Sequence, residues 1–157
     1  MPGTTTRLAD FLPYRLAITS NAVSSVIASE YGDRFGLRVP EWRVMAVLGD
    51  AGPLTQRQLV RATLMDKVAV NRACKQLEER GMLARSPNAA DGRSHHLALT
   101  AEGVSIHAQI WPQAFSATER IFACLNDGER EVLRRTLDKL FVAVGESEAA
   151  SGAGEDT

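Results

Sequence analysis

The chain is predicted to be mainly α-helical with one small β-hairpin, and three observations carry that prediction. Apolar residues recur at helical spacing through most of its 157 residues. Residues 82–100 switch to short, roughly alternating segments around a tip of Asn, Asp and Gly. Glycine or proline punctuates the junctions, at Pro40, Gly52-Pro53 and Gly81. The length and a 45% hydrophobic composition suffice for one buried core. One domain is expected over 8–145, with a disordered tail over 146–157, where Glu, Ala, Ser and Gly dominate.

A long first helix is expected over 8–35, from the recurrence of Phe11, Leu12, Leu16, Val23, Ile27 and Tyr31, with Pro13 near its start. Pro40 and Glu41 open a second helix that runs through Leu48 and ends at Gly49 or the Gly52-Pro53 turn.

Thr55 then has the side chain of a helix cap, and Gln58, three residues on, can reach back to the cap amide. This short helix continues through Leu59 and Val60 to about Leu64. Asp66 caps the next one, so the turn between them is only a few residues. The helix over 67–80 stops at Gly81, which can adopt the left-handed conformation of a helix end. Val70, Ala73, Cys74 and Leu77 form its apolar stripe, while Lys67, Asn71 and Lys75 lie four apart on the opposite side, flanked by Arg72.

Segments 82–86 and 96–100 read as the two strands of the hairpin. Its tip carries Arg93 next to Gly92, which lets the backbone approach a partner closely. Helices are expected over 101–125, bent at Pro112, and over 128–144, capped by Asn126 or Asp127. In the last helix Val132, Leu133, Leu137, Leu140, Phe141 and Val144 share one face.

The net charge of −1 hides a separation: residues 55–100 hold eight Lys or Arg against four acids, +4, and leave −5 for the remainder. A polyanionic partner responds to that local field rather than to the total. No apolar run approaches a membrane span and no secretory leader is visible, so a cytoplasmic location is expected. Cys74 and Cys124 fall in predicted helices without paired spacing, and His95, His96 and His107 lack ligand spacing. No metal site and no cofactor are expected. Paired carboxylates, a Ser-His-Asp set and a glycine-rich phosphate loop are not seen, and no enzyme is predicted.

Taken together, residues 54–63, Asp66-Lys67-Val68, Leu77-Glu78-Glu79-Arg80-Gly81, Asp91-Gly92-Arg93-Ser94 and Leu97-Ala98-Leu99-Thr100-Ala101-Glu102-Gly103 resemble the MarR family of winged helix-turn-helix regulators. The order of elements agrees over most of 8–145. The resemblance implies a winged helix-turn-helix module at about 40–100, with N- and C-terminal dimerisation helices at about 8–35 and 101–145. It also implies a homodimer whose two modules meet successive major grooves, so half-sites of a pseudo-palindromic operator lie roughly 34 Å apart. Position 71 is more often a small hydroxyl residue in the family, and Asn71 implies a different operator. The family's peroxide sensors carry a cysteine in the first helix, and residues 8–35 contain none.

Reach and donor type then nominate the DNA contacts: Gln56, Lys67, Val68, Asn71, Arg72, Lys75, Arg93, Ser94 and His95. Asn71 suits an adenine edge, Arg72 a guanine or a phosphate, and Lys67 and Lys75 phosphate. Arg93 suits a narrow A·T-rich minor groove. Asp91, which phosphate would repel, is expected to orient Arg93 or another arginine. The resemblance further implies a repressor released by a small aromatic or phenolic effector, with Arg15, Ser24 and Trp42 as candidate pocket residues; Trp42 also suits the core. The competing reading is a winged-helix module that binds protein partners without sequence-specific DNA binding.

Overall fold

Helix boundaries follow the local signals in the computed structural model, which describes residues 7–152. A 3-10 turn at Leu8–Asp10 leads into α1 (Leu12–Ser29), with Pro13 in its first turn. The chain turns at Glu30 and Tyr31 before α2 (Gly32–Phe35), which ends at Gly36 with φ 63°. The single helix expected over 8–35 is therefore interrupted. Tyr31 leaves helical geometry and becomes buried, with its ring 5.3 Å from that of Trp42. Burying an aromatic ring outweighs the few helical hydrogen bonds forgone.

Helix α3 (Val39–Ala51) is capped by the buried carboxylate of Glu41, which accepts the Arg38 N–H at 2.8 Å, and stops at Gly52 with φ 76°. Strand β1 (Leu54–Thr55), α4 (Gln56–Thr63), α5 (Lys67–Glu79), β2 (Leu83–Pro87), β3 (His95–Leu99) and α6 (Ala101–Phe122) follow. The antiparallel sheet has the order β1-β3-β2. The hairpin strands sit within a residue of their expected positions, but β1 is an additional strand, pairing Leu54 with Leu97 and Thr55 with His96. Helix α6 continues through Pro112.

One core joins these elements: Met45 and Leu48 from α3, Leu59 from α4, Val70, Cys74 and Leu77 from α5, Leu97 from β3 and Ile110 from α6. Truncating such a residue, Leu77→Ala for example, costs roughly 2–5 kcal/mol. Gly103 brings the first turn of α6 against the hairpin so closely that a Cβ there would lie 2.0 Å from the Met82 carbonyl oxygen. No residue with a side chain fits without moving backbone.

The chain divides into two compact units at Thr118 and Glu119, where one domain is expected over 8–145. In the second unit, Asn126 caps α7 (Asp127–Gly152): its Oδ1 accepts the Glu129 N–H at 3.0 Å, and Glu129 accepts the Asn126 N–H at 2.9 Å. Arg130 pairs with Glu119 at 3.0 Å. Val132, Leu137, Leu140, Phe141 and Val144 of α7 are all exposed. The expected tail needs correction, because residues 146–152 are helical. Glu and Ala are strong helix formers and simply prolong α7. The rest of that segment, 153–157, lies outside the described residues. Cys124 sits in the turn before α7 rather than in a helix. Among the described residues no helix is long and apolar enough to cross a membrane, and no His, Cys, Asp or Glu cluster is placed to hold a metal ion.

Candidate nucleic-acid interface

The two helices at the centre of the module are fixed by their own caps. Thr55 Oγ1 accepts the Gln58 N–H at 3.2 Å, and Gln58 Oε1 accepts the Thr55 N–H at 2.8 Å. Thr63, buried, donates its hydroxyl to the Leu59 carbonyl at 2.7 Å, and Leu64 then turns the chain with φ 52°. Asp66 Oδ1 accepts the Ala69 N–H at 2.8 Å and starts α5.

The apolar stripe of α5 is buried as a set: Val70, Ala73, Cys74 and Leu77. Burial pushes the Cys74 thiol up to about 11, so it is neutral and unreactive at ordinary pH. That inward anchoring exposes Lys67, Val68, Asn71, Arg72 and Lys75 together. Val68 keeps 65% of its surface exposed, an apolar contact in the middle of a polar face that matches a thymine methyl group in chemistry. Lys75 reaches Glu79 at 4.0 Å, a weak exposed pair. At the far end of the helix, Arg80 donates to the carbonyls of Gly36 and Phe35 and ties α5 to α2.

The wing tip is held by short polar side chains. Asn88 Nδ2 donates to Ser94 Oγ at 2.9 Å, while Asn88 Oδ1 accepts the Ala90 N–H at 3.1 Å. Asp91 Oδ1 accepts the backbone N–H of Arg93 at 3.1 Å. The carboxylate thus shapes the turn that carries Arg93 and does not bind its guanidinium. Ser94, half-buried, is engaged with Asn88 as well as facing outward. His95 is exposed and His96 half-buried, as expected for neighbours on opposite faces of a strand.

These elements enclose an open cleft of about 690 Å³ lined by Thr55, Gln56, Arg57, Val60, Lys67, Arg85, Asn88, Asp91, Arg93, Ser94 and His95. Of the nominated residues, Gln56, Lys67, Asp91, Arg93, Ser94 and His95 gather there, whereas Val68, Asn71, Arg72 and Lys75 are absent from its lining and occupy the exposed side of α5. Sequence reasoning missed Arg57, Arg85 and Asn88. Arg57, in the first turn of α4 one residue from Gln56, was within reach of a helical reading. Arg85 gives no such local signal, because its partner is Glu78, across the turn that joins α5 to β2.

The candidate effector residues lie elsewhere. Trp42 is buried and belongs to an aromatic series: its ring is 5.5 Å from His107 and 6.4 Å from Trp111, and His107 stacks on Trp111 at 5.6 Å. Burial also lowers the His107 pKa from its ordinary value. Arg15 is exposed and donates to the Ala9 carbonyl at 3.2 Å; Ser24 is half-buried. Among the described residues no hydrogen bond, ion pair or ring contact joins Arg15, Ser24 and Trp42.

A model of the MarR family matches residues 35–94. The chain is 30% identical over 105 residues to the transcriptional regulator HosA of Escherichia coli O157:H7, covering 67% of this chain and 78% of that protein. It is 28% identical over 131 residues to an HTH-type transcriptional repressor of Mycobacterium tuberculosis, with 83% and 91% covered. Among solved structures, Bordetella bronchiseptica BpsR, whose DNA binding is regulated by 6-hydroxynicotinic acid, superposes with a TM-score of 0.74 at 26% identity, over 82% of this chain and 97% of that one.

Proposed function

The chain belongs to the MarR family of transcriptional regulators, and from that premise we propose that it is a homodimeric, sequence-specific repressor that binds double-stranded DNA and is released by a small aromatic acid or phenol. One observation carries the reading: inward anchoring of α5 by its apolar stripe leaves Lys67, Val68, Asn71 and Arg72 exposed as one face. Such a mixture of fork donor, amide, ammonium and methyl groups is what base edges and phosphates demand of a helix in the major groove. Arg93 supplies the minor-groove contact, and Asp91 holds the turn from which it projects. Gln56, Lys75, Ser94 and His95 complete the contact set.

The exposed apolar residues of α7 and of α1 are the surfaces that a second copy covers. A two-fold dimer then matches a pseudo-palindromic operator with half-sites roughly 34 Å apart. For the effector, exposed Trp111 offers a stacking surface at the end of the aromatic series that His107 and Trp42 back, and Arg15 and Ser24 offer polar contacts. BpsR, the similar protein regulated by 6-hydroxynicotinic acid, supports that ligand class. An effector releases DNA only by binding the released state better.

The test is a mobility-shift assay on the DNA flanking the chain's own gene, repeated with a panel of aromatic acids and phenols. Retarded bands abolished by one member of the panel are expected. Absence of any retarded band, with retention of a protein partner instead, contradicts the reading.

A further inference from the structure

Arg85 lies in the base of the wing, on β2, and its Nε donates to Glu78 Oε1 on α5 at 2.8 Å. Both side chains are about two-thirds buried, at 33% and 29% exposure, so the pair is held rather than solvated away. A guanidinium has five N–H groups, and this contact uses one. Its remaining donors make no hydrogen bond to protein among the described residues, and Arg85 lines the cleft together with Arg57, Lys67 and Arg93. Asp91 is the acid in that lining, and its carboxylate is already committed to the Arg93 N–H.

The two grooves of a duplex are separated by a sugar-phosphate strand. A protein that puts a helix in one groove and a wing tip in the next must straddle that strand, so the side chains between helix and wing face phosphates. We propose that this cleft is a phosphate seat, with Arg85 its central donor and Glu78 the positioning residue that aims it; the inference rests on the DNA-binding reading. The fork of the guanidinium suits two phosphate oxygens at once, a geometry an ammonium cannot supply. Through Arg85, one phosphate couples the reading helix to the wing.

Glu78→Gln separates this account from simple charge. Removing an acid beside a DNA-binding face makes the field more positive, and on field alone binding tightens. The positioning role predicts the reverse: weaker binding to a duplex from the DNA flanking the gene, by about three-fold to ten-fold, the worth of one hydrogen bond. Arg85→Ala should weaken it by about ten-fold and reduce the salt slope by about one, and Arg85→Lys, which keeps the charge, should not restore the loss. Circular dichroism of each variant reports whether the fold is retained.

The arginine Nε–H resonances of the wild-type chain supply the second arm. The Arg85 signal is expected to move on titration with the duplex. If the duplex is not bound but inorganic phosphate moves the signal, the seat stands and serves free phosphate, while the DNA reading fails. Tighter or unchanged duplex binding by Glu78→Gln overturns the proposal and leaves the DNA reading intact. An Arg85 signal unmoved by either probe also overturns it.

Discussion

Asp91 and Arg93 meet through carboxylate and backbone: Oδ1 of Asp91 accepts the Arg93 N–H at 3.1 Å, and among the described residues nothing binds the Arg93 guanidinium. The acid builds the turn and the cation is left for a partner. Arg93→Ala should weaken duplex binding by about ten-fold or more, a loss of roughly 1–3 kcal/mol, measured by titration at fixed salt. Asp91→Ala should give a smaller loss with Arg93 still in place. Unchanged affinity in Arg93→Ala removes this residue from the interface.

A tight glycine in α3 tests the packing of the aromatic series. Gly49 lies in α3, where alanine would ordinarily stabilise the helix by about 0.5–1 kcal/mol. A Cβ there would sit 2.6 Å from His107 Nε2, and His107 is held between the rings of Trp42 and Trp111. Gly49→Ala should therefore destabilise by roughly 1–3 kcal/mol in denaturant titration. In the His107→Ala background the same change should be neutral or stabilising. A cost that persists without the imidazole contradicts the clash.

Alkaline pH should unfold the chain in a defined window. Burial raises Cys74 from 9.0 to about 11 and Tyr31 from 10.0 to about 12. Both are neutral when protonated, and both have folded values above their unfolded ones. Their contribution is complete below pH 9 and is lost as pH rises to about 11 for Cys74 and about 12 for Tyr31. Each contributes on the order of 2 kcal/mol. Cys74→Ala should flatten the pH 9–11 part of the stability profile. In the native protein at neutral pH, exposed Cys124 should react with a thiol reagent while buried Cys74 does not.

The exposed stripe on α7 leads to an assembly prediction. Leu137→Glu sets a charge among Leu133, Leu140, Phe141 and Val144. Sedimentation should show dimer for the wild type and monomer for the variant, with duplex affinity lower by about a hundred-fold or more as the linked second module is lost. A variant that remains dimeric shows that this face is not the interface.

What the sequence disclosed depended on distance along the chain. Thr55 with Gln58, Asp66 with Ala69, and Gly81 act within one helical turn, and the starts of α4 and α5 and the end of α5 were legible from them. The exposed face of α5 followed from period alone. Three features depend on remote partners and left no local trace. Tyr31 breaks the first helix because Trp42 offers it a buried contact; β1 exists only because Leu97 pairs with Leu54; and Gly103 is required by the Met82 carbonyl. The aromatic series joins positions 31, 42, 107 and 111, a set no periodicity connects. Arg85 belongs to this class, and so it was missed in the cleft whose lining also holds Arg93, which the sequence nominated.

The most direct test of the account is the dependence of duplex affinity on salt, measured for the purified chain on DNA from its own upstream region. Neutralisation of several phosphates by α5, the wing and the cleft predicts a steep linear fall of log K with log salt, with a slope near −0.9 per phosphate contact. A flat dependence, or no affinity for duplex at low salt, contradicts it.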